Sequence, residues 1–290
     1  MLKSSKLLVI TEVKMNKRAA IYLIVPAFTG VLIFTFFPLI QIAIPTFQNN
    51  QSIFSEYIRF LQNTYNVQVI SRTFLIAITT VVIVLIMGLP ISLWIARQRT
   101  NVKQVLSLLI LFPMLTNAVV RNFAWIIILG RDGILNKFFM ALHIVNHPLS
   151  ILYTNVSIII GSVYLFLPIM ITSLVGSISE LNIEVEEAAA VLGATPLKSF
   201  FRILIPQLTP GIFTGCILVF AGTMTAYTTP QILGGNRHLV MSTLIYQQAM
   251  TLGNWQSASV IAIVLIIISA LSMWIMRRIS RLLDRRPSLA

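Results

Sequence analysis

His143, His147 and His238 show no ligand spacing with one another or with a carboxylate, and Cys216 stands alone in an apolar run, so neither a metal site nor an internal disulfide is expected. No Gly-x-x-x-x-Gly-Lys-[Ser/Thr] loop occurs, so the chain lacks that cradle for a nucleotide phosphate. No catalytic residue, metal ligand or cofactor follows from these side chains. The residues that do form a pattern lie between Asn182 and Pro206. Glu184, Glu186 and Glu187 come early in a helix that Asn182 can cap, where negative charge suits the helix dipole. Ala188, Ala189 and Ala190 follow, strong helix formers with almost no side chain. Gly193 is placed to end this helix in a left-handed cap, and Thr195-Pro196 reads as an N-cap with proline at the first helical position. Pro206 is expected to end the second helix, and Thr209-Pro210 to restart the chain. Small alanines beside an acidic patch make a compact knob for a groove on another protein. The competing reading is an amphipathic hairpin on the membrane surface, where three glutamates would sit poorly against anionic lipid.

The elements that hold this segment are apolar helices. Hydrophobic residues make up 57% of the 290-residue chain and charged residues 10%, against roughly 25% charged in a soluble domain. A spanning helix needs about 20 mostly apolar residues. Six stretches qualify: 19–44, 73–96, 104–129 (interrupted only by Arg121), 153–176, 211–232 and 258–276. The expected fold is therefore all-α, a polytopic membrane protein with six transmembrane helices. The chain divides into an N-terminal segment 1–18, a first helix 19–44, a five-helix domain 73–276 containing a loop 177–210, and a basic tail 277–290. The first span is too long in its apolar run for a cleaved signal peptide.

The formal net charge of +13 would suggest nucleic acid on a soluble protein, but cytoplasmic loops of membrane proteins are enriched in Lys and Arg. Of 21 basic residues, Arg59, Arg72, Arg121, Arg131, Lys137 and Arg237 fall on one side and all others on the side of the termini. Both termini are thus expected in the cytoplasm, together with the loop 177–210 between spans four and five.

Glu187-Ala188-Ala189, Gly193 and Ile203-Leu204-Ile205-Pro206 resemble the Glu-Ala-Ala motif of ABC importer permeases: Glu-Ala-Ala, three residues, Gly, nine residues, Ile-x-Leu-Pro. Every spacing agrees, and Ile205 stands where the motif has leucine. The resemblance implies a type I importer fold with a cytoplasmic coupling helix that fits a cleft of an ATPase. Glu186, Glu187, Ala188, Ala189, Gly193, Ala194, Ile203 and Pro206 would form it. Further stretches are similar to permeases of the spermidine/putrescine branch: Pro113, Arg121, Trp125, Gly130 and Gly133–Asn136, then Ala226–Gly235, then Gly253-Asn254-Trp255. The likeness covers most of the chain from about residue 73 onward. It implies a cell-membrane permease, two cytoplasmic ATPase subunits, a second permease (a related, distinct chain), an extracytoplasmic solute-binding protein and lipid as partners, and no nucleic acid. The implied substrate is a polyamine, or another small solute such as a phosphonate, an amino-acid-like or an opine-type compound.

Pathway residues stay open between two readings. Arg121 is either a gate residue facing the second permease or a group that snorkels or pairs locally. Trp125 reads as packing or an interface anchor rather than a ligand contact. Tyr227, Thr228, Pro230 and Gln231 either line the pathway at a broken helix or form an ordinary kinked end, and the resemblance favours the pathway. No Asp or Glu lies in any expected span, and only Glu56 and Asp132 fall on the outer side. An ion-coupled secondary transporter would carry acidic or histidine relays in its spans and inverted repeats; a membrane-embedded enzyme would need a reactive cluster at one depth. Neither pattern is seen.

Overall fold

The computed structural model describes residues 17–47, 55–181, 185, 188–189 and 191–283, and among these all regular structure is helical. Glu184, Glu186, Glu187 and Ala190 of the acidic segment lie outside the described residues. Helix α1 (Lys17–Ala43) passes through Pro26 and Pro38 and ends in the 3-10 turn Ile44–Phe47. After α2 (Ser55–Gln62), α3 (Thr64–Ala96) begins well before the apolar run that marked the second span. The reason is local: Asn63 caps it, its Oδ1 accepting the Tyr65 N–H at 2.9 Å. Arg72 is therefore helical rather than a loop residue.

The expected third span is not one helix. It divides into α4 (Thr100–Leu115) and α5 (Ala118–Leu129), and the stretch Ala118–Ala141 is bent by 87° from α4 at the break. Pro113 stands in the last turn of α4, and Asn117 starts α5 by accepting the N–H groups of Val119 at 2.9 Å and Val120 at 3.3 Å. Helix α6 (Ile134–Ala141) follows, then α7 (Asn155–Ser179), where Ser157 Oγ accepts the Thr154 N–H at 3.2 Å.

A second departure concerns the prolines after Gly193. Pro206 does not end a helix and Thr209-Pro210 does not restart one: α8 runs unbroken from Pro196 to Thr225. A π turn at Phe200–Leu204 precedes Pro206, with the Ile205 N–H donating to the Phe200 carbonyl. This i→i+5 step shifts the ladder by one residue, so Pro206, which has no N–H to give, enters the helix without breaking it. The fifth span also ends sooner, at Thr225, and a separate α9 (Thr228–Leu233) follows. Pro230 thus sits in the first turn of a new helix, where no N–H is needed, instead of kinking a long one. The chain closes with α10 (Met241–Tyr246), a π turn at Gln247–Thr251 and α11 (Trp255–Leu283).

Helices α3, α7 and α8 form the centre. Val84, Phe166, Met170, Leu174 and Val219 bury one cluster between them. A second cluster of Ala77, Phe220, Met224, Leu244, Val260 and Ile261 joins α3 and α8 to α10 and α11. Large apolar side chains also point outward, Phe34 at 83% exposure and Leu115 at 80% among them. Lipid tails are as apolar as leucine, so helix association here relies on close packing. Gly211 and Gly215 on α8 supply it: a Cβ on Gly215 would lie 2.6 Å from Met170 Sδ, and one on Gly211 would collide with the Ser177 hydroxyl.

Candidate coupling and translocation site

The packing sorts the loops to two ends of the bundle. At one end the Lys103 ammonium donates to Ser179 Oγ, and Arg277 and Arg281 border Phe213 and Thr214 of α8. The segment from Glu180 to Thr195 leaves α7 at this end. At the other end Arg72 Nη1 donates to the Leu239 carbonyl at 3.0 Å, and the Met241 N–H donates to Thr73 Oγ1 at 3.0 Å. There too, the Leu233 carbonyl accepts the Tyr153 N–H at 3.0 Å and the Ser157 hydroxyl at 2.8 Å.

At the first end Val185, Ala188, Ala189 and Val191 have helical backbone. The Leu192 N–H donates to the Ala188 carbonyl at 3.1 Å, the Ala194 N–H reaches back to the Ala189 carbonyl at 3.0 Å, and Gly193 has φ +80°. That is a Schellman cap with glycine at its left-handed position, the conformation the sequence predicts. Thr195 then caps α8, its Oγ1 accepting the Lys198 N–H at 3.4 Å, with Pro196 at the first position. Ala188 and Gly193 are exposed, Ala189 is buried, Ala194 is half-buried, and Ile203 and Pro206 are half-buried within α8. Sequence reading missed the apolar tip around them: Val191 and Leu192 are each 87% exposed, Leu197 72% and Phe201 65%. Hydrophobic residues next to a helix cap in a loop carried that signal, but inside so apolar a chain they do not stand out.

Near the other end, α5, which carries Arg121 and Trp125, packs against α9, which carries Thr228, Pro230 and Gln231. Arg121 is buried and turns back onto the end of α4, where Nη1 donates to the Pro113 carbonyl at 2.8 Å and the Thr116 carbonyl at 3.4 Å. Its guanidinium thus joins the Thr116 hydroxyl, which donates to the Pro113 carbonyl at 2.8 Å, in serving carbonyls at the helix break. Trp125 stands edge-on to Tyr164 of α7, with ring centroids 5.6 Å apart. Tyr227, in the break between α8 and α9, pairs instead with Tyr246 at 4.9 Å and 39°. Thr228 and Gln231 are half-buried and Pro230 is buried. Asn122 and Gly161 had no role in the sequence reading. The Asn122 amide donates to the Ala118 carbonyl at 2.8 Å, and Gly161 brings α7 against α9, since a Cβ there would lie 2.6 Å from Leu233 and 2.7 Å from Thr229. Among the described residues no group of three His, Cys, Asp or Glu side chains could hold a metal ion.

Residues 88–287 match the family described as "Binding-protein-dependent transport system inner membrane component". The spermidine/putrescine transport system permease protein PotB of Escherichia coli strain K12 is 32% identical over 233 residues, covering 80% of this chain and 84% of the relative. PotB of Haemophilus influenzae is also 32% identical, over 79% of this chain and 80% of the relative. The molybdenum transport system permease protein ModB of Mycobacterium bovis is 29% identical over 67% of this chain and 72% of its own length. Among solved structures, a bacterial alginate ABC transporter in complex with an alginate pentasaccharide-bound periplasmic protein shares the fold, with TM-score 0.78 and 16% identity over 93% of this chain and 96% of that one.

Proposed function

The chain belongs to the binding-protein-dependent transport system inner membrane components, the permease subunits of ABC importers, and from that premise we propose that it is one half of an ATP-driven pathway for a polyamine. Its place is the inner membrane, and an ion-coupled secondary transporter is set aside by the family. In this reading the chain crosses the membrane six times, the bent α4–α5 pair counting as one crossing, with both termini in the cytoplasm. The excess of Lys and Arg at the end carrying Arg97, Arg99, Lys103 and Arg277 supports that orientation.

The segment from Glu186 to Pro206 is then the coupling helix. The observation that carries this role is the exposed tip of Val191, Leu192 and Leu197, held by the Gly193 cap at the basic end. An apolar tip that exposed is a surface for another protein or for the membrane, and the glutamates that precede it favour the protein. Two cytoplasmic ATPase subunits would provide the grooves, one for this chain and one for a second, related permease. When they close on ATP, the tip and the rigid α8 behind it move together, and α8 carries the motion to the break at Ala226–Tyr227. An extracytoplasmic binding protein would deliver solute at the outer end, where residues 130–154 and 233–241 are tied together.

Polyamine as substrate rests on the PotB relatives, while the ModB relative shows that permeases of similar sequence serve other solutes, which keeps another small solute as the second reading. With no carboxylate in its spans, this chain would leave charge recognition to its partners and offer aromatic faces. Co-expression with its ATPase tests the coupling role: Leu192→Glu should abolish co-purification of the ATPase while the permease stays in the membrane, and unchanged co-purification would refute it.

A further inference from the structure

We propose that Tyr227 and Tyr246 form an aromatic step in the translocation pathway, on which the ammonium groups of an organic cation rest during passage. The inference rests on the polyamine reading above and gives that substrate a site. It starts from a break in backbone. Helix α8 stops at Thr225, Ala226 is extended, and α9 starts again at Thr228. Unwound backbone at membrane depth is tolerated where protein buries it or where it lines a watery cavity. This break is held in place: Ser242 Oγ donates to the Ala226 carbonyl at 2.6 Å.

Ser242 and Tyr246 are one turn apart on α10, so they share a face. The bond that fixes the break therefore also aims Tyr246 at Tyr227. Their centroids lie 4.9 Å apart at 39°, a tilted pair. Tyr246 remains 43% exposed and Tyr227 half-exposed, beside the exposed Thr225 and the half-buried Gln231. Polar side chains grouped around an open break fit a wet path better than a wall of lipid. The other pair behaves differently: Trp125 and Tyr164 meet edge to face and both are half-buried between α5 and α7, which is packing.

The chemistry follows from what is missing. All eight acidic residues lie outside the spans, so no carboxylate of this chain can neutralise a cation within the membrane. The negative face of a tyrosine ring is the remaining attraction for an ammonium group, and it needs no hydroxyl. A weak, exposed contact also suits a step that must release its cargo.

The test uses the assembled importer in proteoliposomes with saturating, putrescine-loaded binding protein, reading putrescine moved per ATP hydrolysed. Tyr246→Leu and Tyr227→Leu should each lower that ratio about fivefold, the size of a lost cation–π contact, whereas Tyr246→Phe and Tyr246→Trp should keep it within about twofold. A Leu variant that keeps the wild-type ratio, or a Phe variant that loses as much as Leu, overturns the step. The Phe and Trp variants preserve the ring, so they report even where a Leu variant fails to assemble. If the wild-type importer hydrolyses ATP in response to a loaded binding protein yet moves no putrescine, the substrate reading falls and the step with it; if only the Leu prediction fails, the substrate reading stands.

Discussion

Gly193 is held at φ +80°, a conformation that costs an L-residue roughly 1–2 kcal/mol. A Cβ there would meet nothing within 4 Å, so the penalty of a substitution is backbone strain and not a clash. Gly193→Val should therefore leave the bundle folded but distort the turn that presents Leu192, cutting ATP-driven uptake by about tenfold, the equivalent of roughly 1.4 kcal/mol. Uptake measured against membrane abundance of the chain checks this. Arg121 answers to different physics. Removing its guanidinium takes away its bonds to the half-buried Pro113 and Thr116 carbonyls, the first of which keeps the Thr116 hydroxyl, at about 1–3 kcal/mol in all. Arg121→Ala should lower the thermal midpoint of the purified protein by several degrees, and a midpoint unchanged from wild type would show that the two bonds contribute nothing. The two residues were unequally legible in the sequence. A left-handed cap is written within a few residues, so Gly193 could be read directly. The partners of Arg121 depend on how sharply α4 turns into α5, which no local spacing reveals.

Among the elements, long apolar helices were readable and their interruptions were not. Prolines are ambiguous signals: Pro113 marks a real break, Pro206 sits inside a continuous helix after a π turn, and Pro230 opens a new one. What separates these cases is which carbonyls and N–H groups each site leaves unpaired, a matter of three-dimensional ladder register. Glycines behave likewise. Gly211 and Gly215 look like ordinary residues of an apolar run, yet they let α8 lie against Met170, Ser173 and Ser177 of α7. Gly215→Leu would force these helices apart. It should cost about 1–3 kcal/mol and reduce the amount of folded protein in the membrane, measured by gel-filtration fluorescence, whereas Gly30→Leu should not, since a Cβ on Gly30 meets nothing within 4 Å.

For the whole molecule, the sequence and the fold speak to orientation from different directions. Counting basic residues separates two sets of loops, and the hydrogen bonds at Ser179 and at Leu239 place representatives of each set at opposite ends of the bundle. In a Cys216→Ala background, a cysteine at Asn236 should react with a membrane-impermeant maleimide added outside, and a cysteine at Thr195 should react only after the membrane is opened. The reverse pattern would invert the topology and remove the coupling role. In the proposed reading the energy source and the other half of the pathway lie in other subunits, so the coupling role is a contact with another protein. Photo-crosslinking from p-benzoyl-phenylalanine at position 192 in the assembled importer tests it most directly. A covalent adduct with the ATPase subunit is expected; adducts with lipid alone, and none with the ATPase, would refute the coupling role.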